Sequence, residues 1–392
     1  MKNVELKPGI YWVGGIDWNL RDFHGYMTPR GSTYNAYLIM DEKIVLVDTV
    51  KHYMFHEMLS RIREIVDPSK IDIIVSNHVE MDHSGSIPKL LELCPNATIV
   101  TSVQGEAGLK RHFKEDWNFQ VMNSGDTLKI GKRNLHFVHV PMVHWPDSMV
   151  TYIPEDKVLL PNDAFGQHIA TSERFDNQID WGIVKEEAAK YYANIVLPYG
   201  VQVKKALEVL SGLEIDIIGP SHGIIWKDKI TDIIAEYEKW CNHEHEEKAV
   251  IVYDTMWGST EKMAWKLAEG LEEKGISVRV YNLKYSDISD IMTHVLTAKY
   301  ILVGSPTLNN GYMPTIGAFL TYVKGLRPKN KTAMAFGSYG WSGQAAGLIE
   351  DEMKGIGWVL PLEKLRIKYI PDQDELGELS EIVKKLVVKK EE

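Results

Sequence analysis

The 392-residue chain is short of cysteine: it has two, Cys94 and Cys241, far apart and in no C-x-x-C pair. Two isolated thiols exclude a disulfide framework, a zinc knuckle and an iron–sulfur run, and they point to a reducing compartment. Basic residues are also scarce. Lys and Arg number 44 against 54 Asp and Glu, for a formal net charge of -10, which argues against a nucleic-acid partner, because phosphate binding needs clustered cations. No run approaches the roughly 18 apolar residues of a membrane span. The first residues, Met1 to Pro8, lack the apolar core of a signal peptide, so the cytoplasm is the expected location. No internal repeat is evident.

What is present is apolar material for two cores, since 44% of the residues are hydrophobic. The length is too great for one ordinary core. Residues 1–245 and 246–392 are the expected domains, divided in the charged stretch Asn242-His-Glu-His-Glu-Glu-Lys248, which has no apolar period. That stretch reads as a solvated linker rather than a metal tract. Before it, strands are expected at 33–40, 43–48, 71–76, 97–101, 135–140, 149–153, 158–160 and 215–219, with helices at 53–66, 186–196 and 203–213. Strands at both ends with helices between suggest a sheet sandwich covered by helices. After it, strands at 249–253, 278–281, 300–303 and 332–336 alternate with helices at 261–273, 315–324, 343–354 and 375–389. Such alternation predicts a doubly wound parallel sheet with its ligand at the carboxyl ends of the strands.

Four side chains able to bind a metal fall within six residues in His78-Val-Glu80-Met-Asp82-His83, directly after an expected strand. Three more follow strands in the same way: His144 in Pro-Met-Val-His-Trp-Pro-Asp147, Asp163 in Leu-Pro-Asn-Asp, and His222 in Pro-Ser-His-Gly. One sheet edge can present them all to a common point. Asp147 is placed to orient a ligand histidine. His168 is either a neighbour of the ligands or structural.

In the second half, Asp254-Thr255-Met256-Trp257-Gly258-Ser259-Thr260 joins a strand to a helix. Hydroxyl groups and a glycine at a helix N-terminus suit a phosphate, and the absence of a lysine disfavours a P-loop. Two further loops stand at strand ends: Pro306, Thr307, Leu308 and Asn309 in the first, and Ser338, Tyr339, Gly340, Trp341 and Gly343 in the second. Tyr339 and Trp341 offer flat faces to an isoalloxazine ring.

The first series resembles the metallo-β-lactamase superfamily, and the second segment resembles flavodoxin. In that order, over nearly the whole chain, they resemble the flavodiiron (A-type flavoprotein) family. The resemblance implies an N-terminal αββα sandwich, a C-terminal flavodoxin-like sheet, FMN, and two iron ions. It assigns His78, Glu80, His144 and Asp163 to one ion, and Asp82, His83, Asp163 and His222 to the other, with Asp163 bridging. Hydrolases of the superfamily usually carry His where this chain has Glu80. Carboxylate oxygen offsets the charge of iron and helps stabilise its ferric state, whereas imidazole suits redox-inert zinc. Affinity alone would still prefer zinc to ferrous iron, so a recombinant sample can contain zinc.

The family reduces dioxygen to water or nitric oxide to nitrous oxide. His24 and either Tyr191 or Tyr192 are the candidates to hydrogen-bond the gas, with helix packing accounting for at least one tyrosine. The resemblance further implies a head-to-tail homodimer, or a dimer of dimers, that brings one subunit's FMN to the other's irons. No rubredoxin module is expected from two cysteines, nor a flavin-reductase module, so the donor is expected to be a separate protein such as rubredoxin. Two other readings are a zinc hydrolase with a flavin-sensing domain, which Glu80 opposes, and a flavodoxin-like carrier with an inactive metal domain, which the full ligand set opposes.

Overall fold

Alternation of apolar residues along short strands decides how the first half is layered. The computed structural model describes residues 2–387. By its contacts the chain forms two units. The first runs to Tyr191 and resumes over Tyr199–Glu238, and the second holds Tyr192–Pro198 and what is described from Lys239 onward.

The first unit has two main sheets. One contains β1 (Val4–Lys7), β2 (Ile10–Trp12), β3 (Tyr37–Ile39), β4 (Val45–Val47), β5 (Ile73–Val75), β6 (Thr98–Thr101) and β7 (Phe119–Val121), in that spatial order. Its pairings are antiparallel as far as β4 and parallel from there on. The other contains β8 (Thr127–Lys129), β9 (Asn134–His139), β10 (Met149–Ile153), β11 (Val158–Asn162) and β12 (Ile217–Pro220). Val45, Val47, Ile73 and Val75 share one core with Phe137, Met149, Val158 and Ile217 of the second sheet. Leu46 and Ile74, one residue out of phase, face the opposite way and pack with α1 (Phe55–Arg63). Phe55, Met58, Leu59 and Ile62 of α1 recur at helical spacing and are buried there. Each contributes about 1.5–3 kcal/mol by leaving water. Helices α2 (Val103–Phe113), α3 (Trp181–Tyr191), α4 (Gly200–Leu210) and α5 (Ile230–Cys241) follow. Cys94 and Cys241 are both buried, and neither is in a disulfide.

The second unit has one sheet: β13 (Glu246–Tyr253), β14 (Ser277–Asn282), β15 (Ala298–Gly304), β16 (Thr332–Tyr339) and β17 (Leu365–Lys368). The order is β14-β13-β15-β16-β17 and every pairing is parallel. Ala249, Ile251 and Tyr253 of β13 pack with Met263 and Leu267 of α6 (Ser259–Glu272) and Leu379 of α10 (Gln373–Lys384). Val250 and Val252, on the opposite face, are equally buried, as a sheet covered on both sides requires. Helices α7 (Ile288–Thr297), α8 (Pro314–Leu326) and α9 (Ala345–Ile356) complete the alternation.

Some expectations need correction. The helix expected over 186–196 is α3, which begins earlier, where the Asp180 carboxylate accepts a hydrogen bond from the Ile183 amide, and continues as a π-helical turn over Tyr192–Val196. The charged stretch 242–248 is not all linker. β13 starts at Glu246, and its backbone pairs in the sheet while Glu246 and Glu247 stay in solvent. The last helix ends at Lys384, and residues 388–389 of the expected span lie outside the described residues. Among the described residues no helix is long and apolar enough to cross a membrane.

Candidate metal and flavin sites

Strand direction brings the metal-binding residue types together. β9 and β11 both run antiparallel to β10, and β12 runs parallel to β11, so all three end at one edge of their sheet. His144 lies beyond β9, Asp163 directly follows β11, and His222 lies beyond β12. From the other sheet, β5 leads to His78, and a single helical turn, Met81–Ser84, carries Asp82 and His83.

Three groups of donor atoms result, each with its atoms within 4.8 Å of one another: His78, Glu80, His144 and Asp163; Asp82, His83 and His222; and His24 with Glu80 and Asp82, which overlaps the first two. Asp163 addresses the first two. Its Oδ2 lies 3.6 Å from His78 Nε2 and 3.2 Å from His144 Nε2. Its Oδ1 lies 3.0 Å from His83 Nε2 and 3.4 Å from His222 Nε2. Glu80 Oε2 is 3.5 Å from His78 and 3.4 Å from His144, and Asp82 Oδ2 is 3.2 Å from His83 and 3.1 Å from His222. Ligands about 2.1 Å from one ion stand roughly 3.0–3.4 Å apart at octahedral to tetrahedral angles. These spacings fit two such ions sharing Asp163.

The donors are also orphaned. His78 Nε2, Glu80 Oε2, both oxygens of Asp82 and Asp163, and the Nε2 atoms of His83, His144 and His222 are buried without a hydrogen-bond partner. Leaving so many polar atoms unsatisfied is costly, and bound cations remove that cost. The protons follow the same logic. Burial opposes charge on the histidines, but the facing carboxylates prevail, pushing His144 up to about 9 and His222 up to about 10. Burial likewise opposes charge on Asp163, yet His83, His144 and His222 hold its carboxyl well below the usual range. A metal ion would displace these protons.

Neighbouring groups fix the ring orientations. Asp147 Oδ2 accepts from His78 Nδ1 at 2.9 Å and from the Val79 amide at 2.8 Å. The carbonyl of Thr33 lies 2.7 Å from His222 Nδ1 and can only accept, so the neutral ring turns the Nε2 lone pair to the centre. Below the site, Asp48 accepts from the Asn77 backbone and the Asn162 side chain, and Asn162 Oδ1 accepts from the Asp163 amide.

His24 Nε2 lies 2.6 Å from Glu80 Oε1, at the more open side of the cluster. The buried Tyr191 hydroxyl has no hydrogen-bond partner, and its ring lies 5.1 Å from His168 and 5.9 Å from His222. Tyr192 packs on Trp240 instead. His168 is fully buried, 4.8 Å from the His222 ring, with Nδ1 2.7 Å from Ser32 Oγ. Sequence reasoning missed Lys51, whose ammonium lies 4.2 Å over the Phe23 ring. Burial lowers its pKa against the pull of Asp82, Asp17 and Glu80. A lone lysine after a strand gives no signal of this.

The second unit holds a cleft of about 790 Å³ at the carboxyl ends of its strands, within the range of small-molecule sites. Met256, Trp257, Ser259, Pro306, Thr307, Asn309, Ser338, Tyr339, Gly340 and Trp341 line it. Other expected residues stand behind the lining and shape it. The Thr255 hydroxyl accepts from the Gly258 amide at 3.0 Å, and Gly258 caps α6 with φ of 85°. Thr260 Oγ1 is 2.9 Å from Ser338 Oγ, Leu308 bridges to Gly311, and Gly343 turns at φ of 71°. Asn310 and Ser342 of the same two loops also line the cleft, and so do Tyr369 and Ile370, which were not anticipated because they follow β17, a short strand with little apolar signal. Trp257 and Trp341 are 93% and 88% exposed, large aromatic surfaces with no use in a core.

Comparison with known proteins agrees with both halves. Residues 33–223 match the ODP family β-lactamase and residues 251–382 match flavodoxin. A metallo-β-lactamase-like domain thus precedes a flavodoxin domain, as the two folds indicate. The chain is 45% identical to a nitric oxide reductase of Moorella thermoacetica, over 98% of each chain. It superposes on the rubredoxin oxygen:oxidoreductase of Desulfovibrio gigas with a TM-score of 0.96, 42% identity and 98% of each chain covered. The flavodiiron protein of Giardia intestinalis gives a TM-score of 0.96 at 38% identity, over 98% of this chain and 96% of that one. The chain belongs to the flavodiiron proteins and is an oxidoreductase.

Proposed function

We propose that the chain reduces dioxygen to water, or nitric oxide to nitrous oxide, at two iron ions supplied with electrons through FMN. The two-sided placement of Asp163 carries this reading, because one carboxylate facing two orphaned donor sets has no other evident use. His78, Glu80, His144 and Asp163 would hold one ion, and Asp82, His83, Asp163 and His222 the other. Three carboxylates offset much of the charge of two divalent ions. Bound there, paired irons supply electrons and Lewis acidity to a diatomic molecule, and FMN supplies the electrons one at a time. His24 and Tyr191, beside the donor sets, would hydrogen-bond the gas. Burial of the cluster keeps bulk water from the reacting atoms.

The cleft loops would hold FMN, with Thr255, Gly258, Ser259 and Thr260 at its phosphate, where the α6 N-terminus favours an anion, and Trp257, Tyr339 and Trp341 beside the ring. The two exposed tryptophans support a second copy covering the flavin, in a head-to-tail dimer or dimer of dimers. Active, strictly monomeric protein in sedimentation would contradict that assembly. A rubredoxin-type protein in the cytoplasm is the proposed donor, in keeping with the name of the D. gigas relative and with two cysteines outside any disulfide. The reading is tested by mixing reduced, iron- and FMN-loaded protein anaerobically with each gas. Iron oxidation within turnover time is expected with at least one, and no reaction with either refutes it.

A further inference from the structure

The first unit has a small apolar pocket between α4 and the strands β10 and β11, apart from the donor cluster but lined by the two segments that feed it. Val143, one residue before His144, and Ala164, one residue after Asp163, both line it, and Val203, Ala206 and Leu207 of α4 close the other side. Every lining side chain is apolar except Tyr237, whose hydroxyl is taken up by the Phe165 amide at 2.8 Å. Room for the centre of a water-sized molecule is about 10 Å³, which is one occupant. A water there would lack the two to four polar partners that hold buried water, so the cavity favours an apolar guest. Val143 and Ala164, on the side next to the donors, are buried, while Ala206 and Leu207 on the α4 side are partly exposed.

We infer that this cavity is a docking site for an apolar diatomic gas on its way to the metal cluster. Its size admits one diatomic molecule, its walls reject ions and water, and its inner end abuts the residues that present His144 and Asp163. The inference rests on the gas-reductase reading, but the site can be tested separately.

Crystals of the loaded protein under xenon pressure should show one xenon atom in the cavity, and none there overturns the inference. Ala206→Phe and, at the more exposed end, Leu207→Phe would fill the void from α4. Each should exclude xenon and slow the second-order reaction of reduced protein with gas by about fivefold or more, a barrier of roughly 1 kcal/mol. Iron content, FMN content and flavin reduction by dithionite should be unchanged. A variant that excludes xenon yet reacts at the wild-type rate overturns the delivery role. Wild-type protein that binds xenon but reacts with neither gas refutes the functional reading, and the delivery role with it.

Discussion

The two candidate sites are built from opposite materials. The metal cluster is made of buried, charged side chains drawn from positions as distant as His78 and His222, each aimed inward and short of hydrogen bonds. The flavin cleft is made of backbone turns, hydroxyls and exposed aromatics on loops at adjacent strand ends, largely satisfied and open to solvent. The first depends on charge and on single atoms. The second depends on backbone shape, with many small contributions. The two should therefore fail differently.

Asp163→Asn tests this contrast most severely. It removes the charge that faces both donor sets, and one amide cannot present oxygen to both. Gas reduction should fall by about 10³-fold or more, some 4 kcal/mol, while FMN content stays at the wild-type level. Loss of FMN as well would mean that the sites are not independent. Gly337→Ala is the matching break in the other unit. A Cβ there would stand 2.1 Å from the backbone oxygen of Ser305, which cannot move aside as a side chain can. About 3 kcal/mol of stability should be lost from the flavodoxin unit, seen as an earlier unfolding transition with lower FMN occupancy and unchanged metal content.

Asp147→Asn keeps shape but weakens the partner that orients His78. Metal affinity should drop about 10- to 100-fold in a chelator competition, with the flavin untouched. The smallest effect concerns Glu187, a buried carboxyl on α3, 2.9 Å from Arg30 and in neither site. Burial raises its pKa to about 7, against the pull of Lys190 and Arg30. A raised folded pKa contributes stability that is fully present below the unfolded value, near 4.5, and lost as pH rises through 7. Glu187→Gln should therefore flatten the decline in stability between pH 5 and 8, by roughly 1–2 kcal/mol once the lost Arg30 contact is counted. Urea unfolding at the two pH values measures it.

The same contrast explains what the sequence discloses. Histidines and carboxylates crowded after strands are unusual enough to be noticed one by one, and Glu80 stands out by its residue type alone. Their shared place just past a strand is enough to suggest one sheet edge, and the strand pairings then supply the directions. The flavin loops are legible where a glycine or hydroxyl follows an apolar strand, as at 255–260. Tyr369 and Ile370 escape because β17 is four residues, Leu-Arg-Ile-Lys, with only two apolar positions. The Asp48–Asn77–Asn162 network escapes for another reason: each member is an ordinary polar residue, and only the folded chain brings them together beneath Asp163. The early start of α3 and the strand hidden in 246–248 were obscured because hydrogen bonding, not apolar period, sets those boundaries.

The proposed diiron reading requires two metal ions to share Asp163. Anomalous diffraction at the iron edge, from crystals of the iron-loaded protein, tests it most directly. Two peaks about 3.5–4 Å apart are expected, one beside His78 and His144, the other beside His83 and His222, with Asp163 between them. A single peak, or two that do not flank Asp163, would contradict it.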